Sequence, residues 1–535
     1  MSKKEPLVAY FCMEYGLASE MKIYAGGLGI LAGDILKAAY DLKKPMIGIG
    51  ILWRQGYTSQ RIGDDGRPYD AYHNNDYMYD LLEDTGLTVS VRIKDEDIVC
   101  KVWKLDRYNN APLYLLDTNH KDNSNKWITG QLYGWFKEER IAQEMVLGIG
   151  GDRLIRKLGL DVDVYHFNEG HAVFAGIELI REKMAAGFSF QKALKEVRKK
   201  IVFTTHTPVK EGNEEHSLDS IRYMGGLNGL TLEEMVQIGG APFNMTVAGL
   251  RLSRLANAVA ELHGQTARKM WRSVKGAAAI KAITNGVHHG TWVDERIYSA
   301  YRNGEKLWPV HQVLKEELID FIQKRTGVFL KKDKLLIGFA RRAAPYKRSD
   351  FIFREPGIIG PYLEKGEIQI VFSGKAHPLD DVGKEIVANL VKMSRVYPDS
   401  VVFLEDYDME IGRYLTRGVD LWLNNPRRPQ EASGTSGMKA AMNGVLNLST
   451  LDGWWPEACE DGVNGWQFGD GYQGRNQDNH DLKALYDVLL NKVLPVYYHN
   501  KEKWEEMMKA SIESTYEKFS AANMLERYYS EIYSV

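Results

Sequence analysis

The sequence predicts an α/β protein of two doubly wound domains, on three observations. At 535 residues the chain exceeds what one hydrophobic core normally organises, so two large domains are the default. Short apolar β-type runs alternate with helical segments in both halves, the signature of parallel sheets covered by helices. A charged stretch, Lys331 to Lys334, separates the halves into residues 1–330 and 331–535.

Composition narrows the class. Hydrophobic residues make up 44% of the chain and charged residues 26%, the balance of a globular protein rather than a disordered one. A formal net charge of -2 gives no general field for nucleic acid or an anionic membrane, so any anion site must be local. Cys12, Cys100 and Cys459 are scattered and odd in number, which argues against a disulfide framework and fits a reducing compartment. No apolar run is long enough to span a bilayer, and Leu7 to Met13, cut short by Glu14, reads as a first strand rather than a leader. A cytoplasmic protein is expected.

In the first half that strand leads to a glycine turn and helix, Y-A-G-G-L-G-I-L-A-G-D-I-L-K-A-A, where Gly26, Gly27 and Gly29 let backbone amides approach an anion. The spacing is not G-x-G-x-x-G, and the position some twenty residues on is apolar Ile49, so a dinucleotide fingerprint is absent. Residues 57–118, rich in aromatic and β-branched side chains, predict a β-rich insertion in the first domain. Val162 to Phe167 reads as a buried strand breaking into Asn168, Glu169, Gly170 and His171, and I-V-F-T-T-H-T-P as another ending at His206. Ligands of open α/β sheets lie at such carboxyl-terminal tips. A long helical pattern, Leu250 to Trp271, precedes a strand and turn carrying Asn285 and Trp292. His166 and His171 lack the spacing of a helical metal pair and adjacent His288 and His289 should point apart, so no metal site is expected.

In the second half, strands are expected at Leu335 to Ala340, Ile368 to Ser373, Val401 to Glu405, Val419 to Asn424 and Val445 to Thr450. The charged amphipathic segments from Lys501 to Tyr533 read as helices, the last of which is expected to cross back onto the first domain. Strand Leu335 to Ala340 ends in R-R-A-A-P-Y-K-R, a concentration of cations that suits a phosphate dianion and, on pattern alone, equally a solvated surface. The stretch from Gln430 to Thr450 organises the rest. Ser433, Gly434, Thr435, Ser436 and Gly437 offer backbone amides and hydroxyls at a predicted helix start, where an anion is favoured. Lys439 follows among Met438, Ala440, Ala441 and Met442, where a desolvated amine becomes a nucleophile toward an aldehyde. A phosphate cradle beside such a lysine suggests pyridoxal phosphate, although surface loops of this composition are common.

The wording of these motifs resembles the α-glucan phosphorylases, the glycogen, starch and maltodextrin phosphorylase family. E-A-S-G-T-x-x-M-K at Glu431 to Lys439, followed by N-G and L-x-T-x-D-G, is similar to that family's cofactor-lysine segment, and the G-G-L-G, N-E-G-H, T-T-H-T, N-G-x-x-x-x-x-W, R-R-A-A-P-Y-K-R and L-E-D-Y elements follow in the family's order. Two departures stand out: the residues between Asn285 and Trp292 differ from the family's T-P-R-R, and Asp408 stands after Tyr407 where arginine is usual.

The resemblance implies two Rossmann-like domains facing an interdomain cleft, the GT-B type, and reversible phosphorolysis of α-1,4-glucans by orthophosphate, releasing α-glucose 1-phosphate with retention. It implies pyridoxal phosphate on Lys439, with the cofactor's phosphate acting as a proton relay, and contacts to that cofactor from Thr435, Ser436, Gly437, Trp292, Tyr407 and Arg341. Arg342, Lys347 and the amide of Gly27 are expected to position the substrate phosphate, and His206, catalytic with Lys439, Arg342 and Lys347, to meet the sugar. Leu28, Asn285, Tyr346, Glu431, Ser433 and Gly434 are expected to line the substrate. A homo-oligomer is a family expectation, and a phosphorylation-controlled arm or other allosteric control is not expected. Two other classes stay open: a nucleotide-sugar glucosyltransferase, which has no need of Lys439, and a glucan-binding protein without the phosphate cluster. Hydrolysis ranks low, because no second carboxylate is evident beside Glu431.

Overall fold

The computed structural model describes residues 4–134, 137–209 and 212–534. They form two compact units, one of residues 1–58, 72–284 and 521–535 and one of residues 59–71 and 285–520.

The first unit is built on a nine-stranded sheet. From edge to edge its strands are Ile280–Ala282, Leu255–Ala258, Ile201–Thr204, Val164–Asn168, Val8–Phe11, Met46–Ile51, Leu113–Asp117, Glu96–Leu105 and Glu83–Ile93. All pairs are parallel except the last two. Val8–Phe11, Met46–Ile51 and Val164–Asn168 are buried at every residue, as central parallel strands covered on both faces must be. At the antiparallel edge, by contrast, Val89, Val91 and Ile93 are buried in alternation with exposed neighbours.

The second unit has a six-stranded, wholly parallel sheet in the order Val401–Leu404, Ile368–Ser373, Leu335–Ala340, Leu421–Asn424, Leu446–Thr450 and Gly465–Phe468. Numbered along the chain this is 3-2-1-4-5-6, the Rossmann order. Its direction reverses between Leu335–Ala340 and Leu421–Asn424, so the connections leaving those two strands diverge to opposite faces. A crevice opens outside their carboxyl ends.

Three expectations are corrected. The boundary falls at 284/285 rather than 330/331, because helix Leu307–Thr326 packs into the second unit. Its Leu314, Leu318 and Ile322 are buried there, and His311 and Lys315 reach the buried carboxylate of Asp420 at 2.9 and 2.5 Å. The β-rich region 57–118 is not one insertion. Its three long strands are the edge of the first sheet, whereas the hairpin Ser59–Ile62 and Pro68–Ala71 belongs to the second unit. There Ser59 Oγ donates to Asp406 at 3.0 Å, the Ile62 amide to Glu405 at 3.2 Å, and Gln60 bonds both backbone groups of Ala376. Finally, Leu250 to Trp271 is two helices, Met245–Leu252 and Glu261–Trp271, separated by strand Leu255–Ala258. A short buried apolar run has no periodicity that separates strand from helix.

Residues 521–535 belong to the first unit. The Tyr533 hydroxyl meets His166 Nδ1 at 2.7 Å, His166 Nε2 meets Thr204 Oγ1 at 2.6 Å, and Asn257 donates to the Tyr528 hydroxyl at 2.8 Å. Burial holds the His166 imidazole down at about 3, so this link between strands and chain end is neutral. Among the described residues, no helix is long and apolar enough to cross a membrane.

Candidate active site

The crevice of the second unit gathers charge because of where its strands end. Arg341 directly follows Leu335–Ala340, Asn424 closes Leu421–Asn424, and the Arg341 guanidinium hydrogen-bonds the Asn424 side-chain oxygen across the reversal. The same guanidinium meets Glu431 Oε2 at 2.5 Å, and Lys347 Nζ pairs with that same oxygen. These side chains are nearly or fully buried. Arg341, Lys347 and Arg342 together hold the Glu431 carboxyl below its ordinary range, overcoming a burial penalty that acts the other way. Lys347 Nζ lies 4.7 Å from the ring centre of Tyr346. Arg342 itself is exposed.

The glycine-rich loop is laid against this cluster. Gly434 has φ of +74°, and a Cβ there would stand 3.3 Å from Arg341 Nη2. Only glycine suits both the backbone and the approach. Helix Ser436–Met442 then starts as the sequence predicts, with the Lys439 amide donating to the Thr435 carbonyl at 3.0 Å and the Trp422 indole to Ser436 Oγ at 3.2 Å. Asn447 donates to the Gly437 carbonyl at 2.9 Å, and its Oδ1 would lie 2.7 Å from a Cβ at Gly437.

Lys439 is 6% exposed, and its Nζ sits 3.6 Å from the ring centre of Trp292. What brings these residues together, 147 positions apart, is Asn443, the asparagine of the N-G that follows the lysine segment. Fully buried, it donates to the carbonyls of Trp292 (3.1 Å) and Lys439 (2.8 Å) and accepts from the Asp294 amide (2.8 Å). Tyr407 completes the wall. Its hydroxyl and the Trp292 ring converge on Gly412, where a Cβ would be 2.7 Å from the former and 3.4 Å from the latter. Burial, with Asp408 next to it, pushes the Tyr407 phenol up to about 12, and Arg341 acts in the opposite sense. Asp408, the departure noted above, caps helix Met409–Gly418 through the Ile411 amide at 3.0 Å. An N-cap explains an acid at that position.

A second carboxylate does accompany Glu431, contrary to expectation. Asp452 accepts from the Glu431 amide at 2.9 Å and the Gly453 amide at 2.8 Å, and burial together with Glu431 raises it to about 7. Both its oxygens are tied to backbone amides. Ser433 Oγ and Asn285 Oδ1 are buried with no hydrogen-bond partner among the described residues.

Gly27, Leu28 and His206 belong to the first unit. Gly27 and Leu28 open helix Gly27–Asp41, and the loop before it is tied down by Glu14, whose Oε2 accepts from the Ala25 and Gly26 amides at 2.6 and 3.0 Å. His206 donates its amide to Glu169 at 2.7 Å, and its Nε2 meets Asn168 Oδ1 at 2.6 Å. Desolvation holds that imidazole down at about 3, which makes it a neutral hydrogen-bonding group and not a cation.

Comparison with known proteins agrees with this geometry. Residues 293–461 match the carbohydrate phosphorylase family. The chain is 39% identical to a maltodextrin phosphorylase of Thermococcus litoralis, covering 99% of this chain and 71% of that one. It is 37% identical to a glycogen phosphorylase of Aquifex aeolicus, over 99% and 86% of the two chains, and 36% to a glycogen phosphorylase of Mycobacterium bovis, over 98% and 70%. The cations at the reversal of the second sheet, the buried lysine beyond them and these relatives all lead to one assignment: the chain belongs to the carbohydrate phosphorylase family and is a glycosyltransferase.

Proposed function

We propose that this protein catalyses reversible phosphorolysis of α-1,4-glucans, attaching orthophosphate to a terminal glucosyl unit and releasing α-glucose 1-phosphate with retention, and that Lys439 carries pyridoxal phosphate. The observation that supports it most is the convergence in one unit of a buried lysine amine on an indole face with a three-cation cluster, joined through Gly434 and Arg341. The residues present fit the cofactor. The loop from Ser433 to Gly437 has no side chain larger than threonine, and Ser433 and Asn285 bring buried oxygens that want partners.

In this reading Trp292 and Tyr407 wall the cofactor, and Thr435, Ser436, Gly437 and Arg341 hold it. When bound, pyridoxal phosphate supplies a phosphate that exchanges a proton with the substrate phosphate. Arg342 and Lys347 orient the attacking dianion, since arginine offers forked donors and lysine a compact charge. The dianion they hold in turn stabilises the positive charge that grows on the sugar ring as the glycosidic bond breaks. Asn285, Tyr346, Glu431, Ser433 and Gly434 position the sugar, and fixed orientation lowers the barrier further. The glucan, orthophosphate and glucose 1-phosphate are thus its small-molecule partners.

Borohydride reduction of fresh protein and peptide mapping test the assignment. A pyridoxyl adduct on Lys439 is expected, with glucose 1-phosphate formed from maltodextrin and phosphate. Lys439→Ala should lose both. Phosphorolysis retained by that variant would refute the role.

A further inference from the structure

Strand Val401–Leu404 reaches helix Met409–Gly418 through a short link, Glu405 to Asp408, whose side chains part company. Tyr407 turns toward Gly412 and the Trp292 ring, and Asp408 caps the helix. Glu405 and Asp406 turn the other way, onto the hairpin Ser59–Ile62 and Pro68–Ala71. Glu405 Oε2 accepts from the Ile62 amide and Asp406 Oδ1 from the Gln60 amide, both at 3.2 Å. Gln60 and Ile62 are alternate residues of one strand, so the two acids take the amides along the hairpin's free edge.

Asp406 is held harder than its neighbour. Its Oδ1 also pairs with Lys375 Nζ at 2.7 Å, and its Oδ2 accepts from Ser59 Oγ at 3.0 Å and faces Arg61 Nη2 at 3.7 Å. Burial opposes the charge, and Lys375, Ser59 and Arg61 overcome it to keep the carboxyl below its ordinary range. The backbone at Asp406 is left-handed, with φ of +55°. Aspartate tolerates that region without preferring it, and such a conformation persists where its surroundings over-determine it. The next residue is Tyr407, so a small rotation at Asp406 is magnified at the phenol.

We propose that Asp406 is a positioning residue for the cofactor site: its carboxylate, clasped by the hairpin and Lys375, fixes the left-handed turn that sets the angle of Tyr407 against pyridoxal phosphate. The hairpin is then a working part of that site, although it touches the site only through Asp406 and Glu405. This rests on the function proposed above, which puts pyridoxal phosphate beside Tyr407.

The test is the rate at which hydroxylamine removes pyridoxal phosphate from the holoenzyme as its oxime, read by absorbance where every protein is folded. Asp406→Gly keeps a backbone that glycine adopts freely and loses the clasp, so release should quicken by about tenfold. Asp406→Asn keeps both the turn and an acceptor, and should stay within about threefold of wild type. Ser59→Ala removes one donor from outside the link and should quicken release by about threefold. If Asp406 acts through Tyr407, the two are coupled, and adding Asp406→Gly to Tyr407→Ala should change the rate by less than about twofold.

A plain structural clasp would lower the unfolding temperature and leave the hydroxylamine rate alone, and that result overturns the proposal. So does a tenfold effect of Asp406→Gly that is the same with and without Tyr407. Failure of the functional reading looks different: the wild type itself would carry no cofactor for hydroxylamine to remove, which overturns both readings before any variant is made.

Discussion

Replacing Gly412 by alanine sets two effects against each other. Gly412 lies inside helix Met409–Gly418, where alanine is intrinsically favoured by about 0.8–1 kcal/mol. The new methyl would stand 2.7 Å from the Tyr407 hydroxyl and 3.4 Å from the Trp292 ring. The ring contact is tight but tolerable, whereas the hydroxyl must retreat by roughly 0.5–1 Å to reach an ordinary separation. Turning a tyrosine that far off its rotamer costs about 0.5–1.5 kcal/mol, so the two terms nearly cancel. Unfolding of the variant should therefore stay close to wild type, with a midpoint moved by no more than about 4 °C. Function should not. Tyr407 moves toward the wall it shares with Trp292, and the Kd for pyridoxal phosphate should rise by about tenfold or more, read by absorbance on adding cofactor to stripped protein. An unchanged Kd with unchanged stability would refute the claim that Tyr407 borders the cofactor. A collapse in stability would show instead that the Tyr407 ring has no room to move.

Asn443→Ala should cost about 2–4 kcal/mol, because it strips the buried Asp294 amide of its acceptor and removes a donor from the Trp292 and Lys439 carbonyls, and should release cofactor faster. Wild-type thermal unfolding and cofactor retention in this variant would count against its role in joining Lys439 to Trp292. Arg342→Ala should raise the KM for phosphate by roughly 10–100-fold, the worth of a charge-assisted hydrogen bond, with little change in the KM for glucan. Unchanged phosphate kinetics would remove Arg342 from the site. The third case concerns pH. Asp452, raised to about 7 by burial and Glu431, is neutral below that pH and anionic above it, so a second negative charge appears beside Glu431 as pH rises. Competitive inhibition by sulfate, a dianion throughout, should weaken between pH 6 and 8 by up to about tenfold, and Asp452→Asn should flatten the profile. Sulfate affinity that is constant or rises with pH in the wild type would be the contrary result.

What could be read from the residues follows from how local each signal is. The buried parallel strands from Leu335 to Thr450 announce themselves as apolar runs, and the helix start at Ser436 as small polar residues before an alanine-rich turn. The positively charged tip after Ala340 is legible for the same reason. Asn443 is not: a polar residue before Gly444 looks like an ordinary helix ending, and its three bonds connect segments far apart in the chain. The same holds for Asp452, whose proximity to Glu431 depends on how neighbouring strands leave the sheet. Helix Leu307–Thr326 misled because the charged run after it resembles a linker, while its allegiance is decided by Lys315 and His311 on Asp420. Leu255–Ala258 misled because four residues, three of them buried, carry too little pattern to have a period.

The chain changes units after residues 58, 71, 284 and 520, and no single cut yields two whole halves. A protein ending at 520 would retain every strand of the larger sheet yet leave His166 Nδ1 and the Asn257 amide in its interior with their tyrosine partners gone. The unit begun first along the chain is therefore completed only after the other unit has been made.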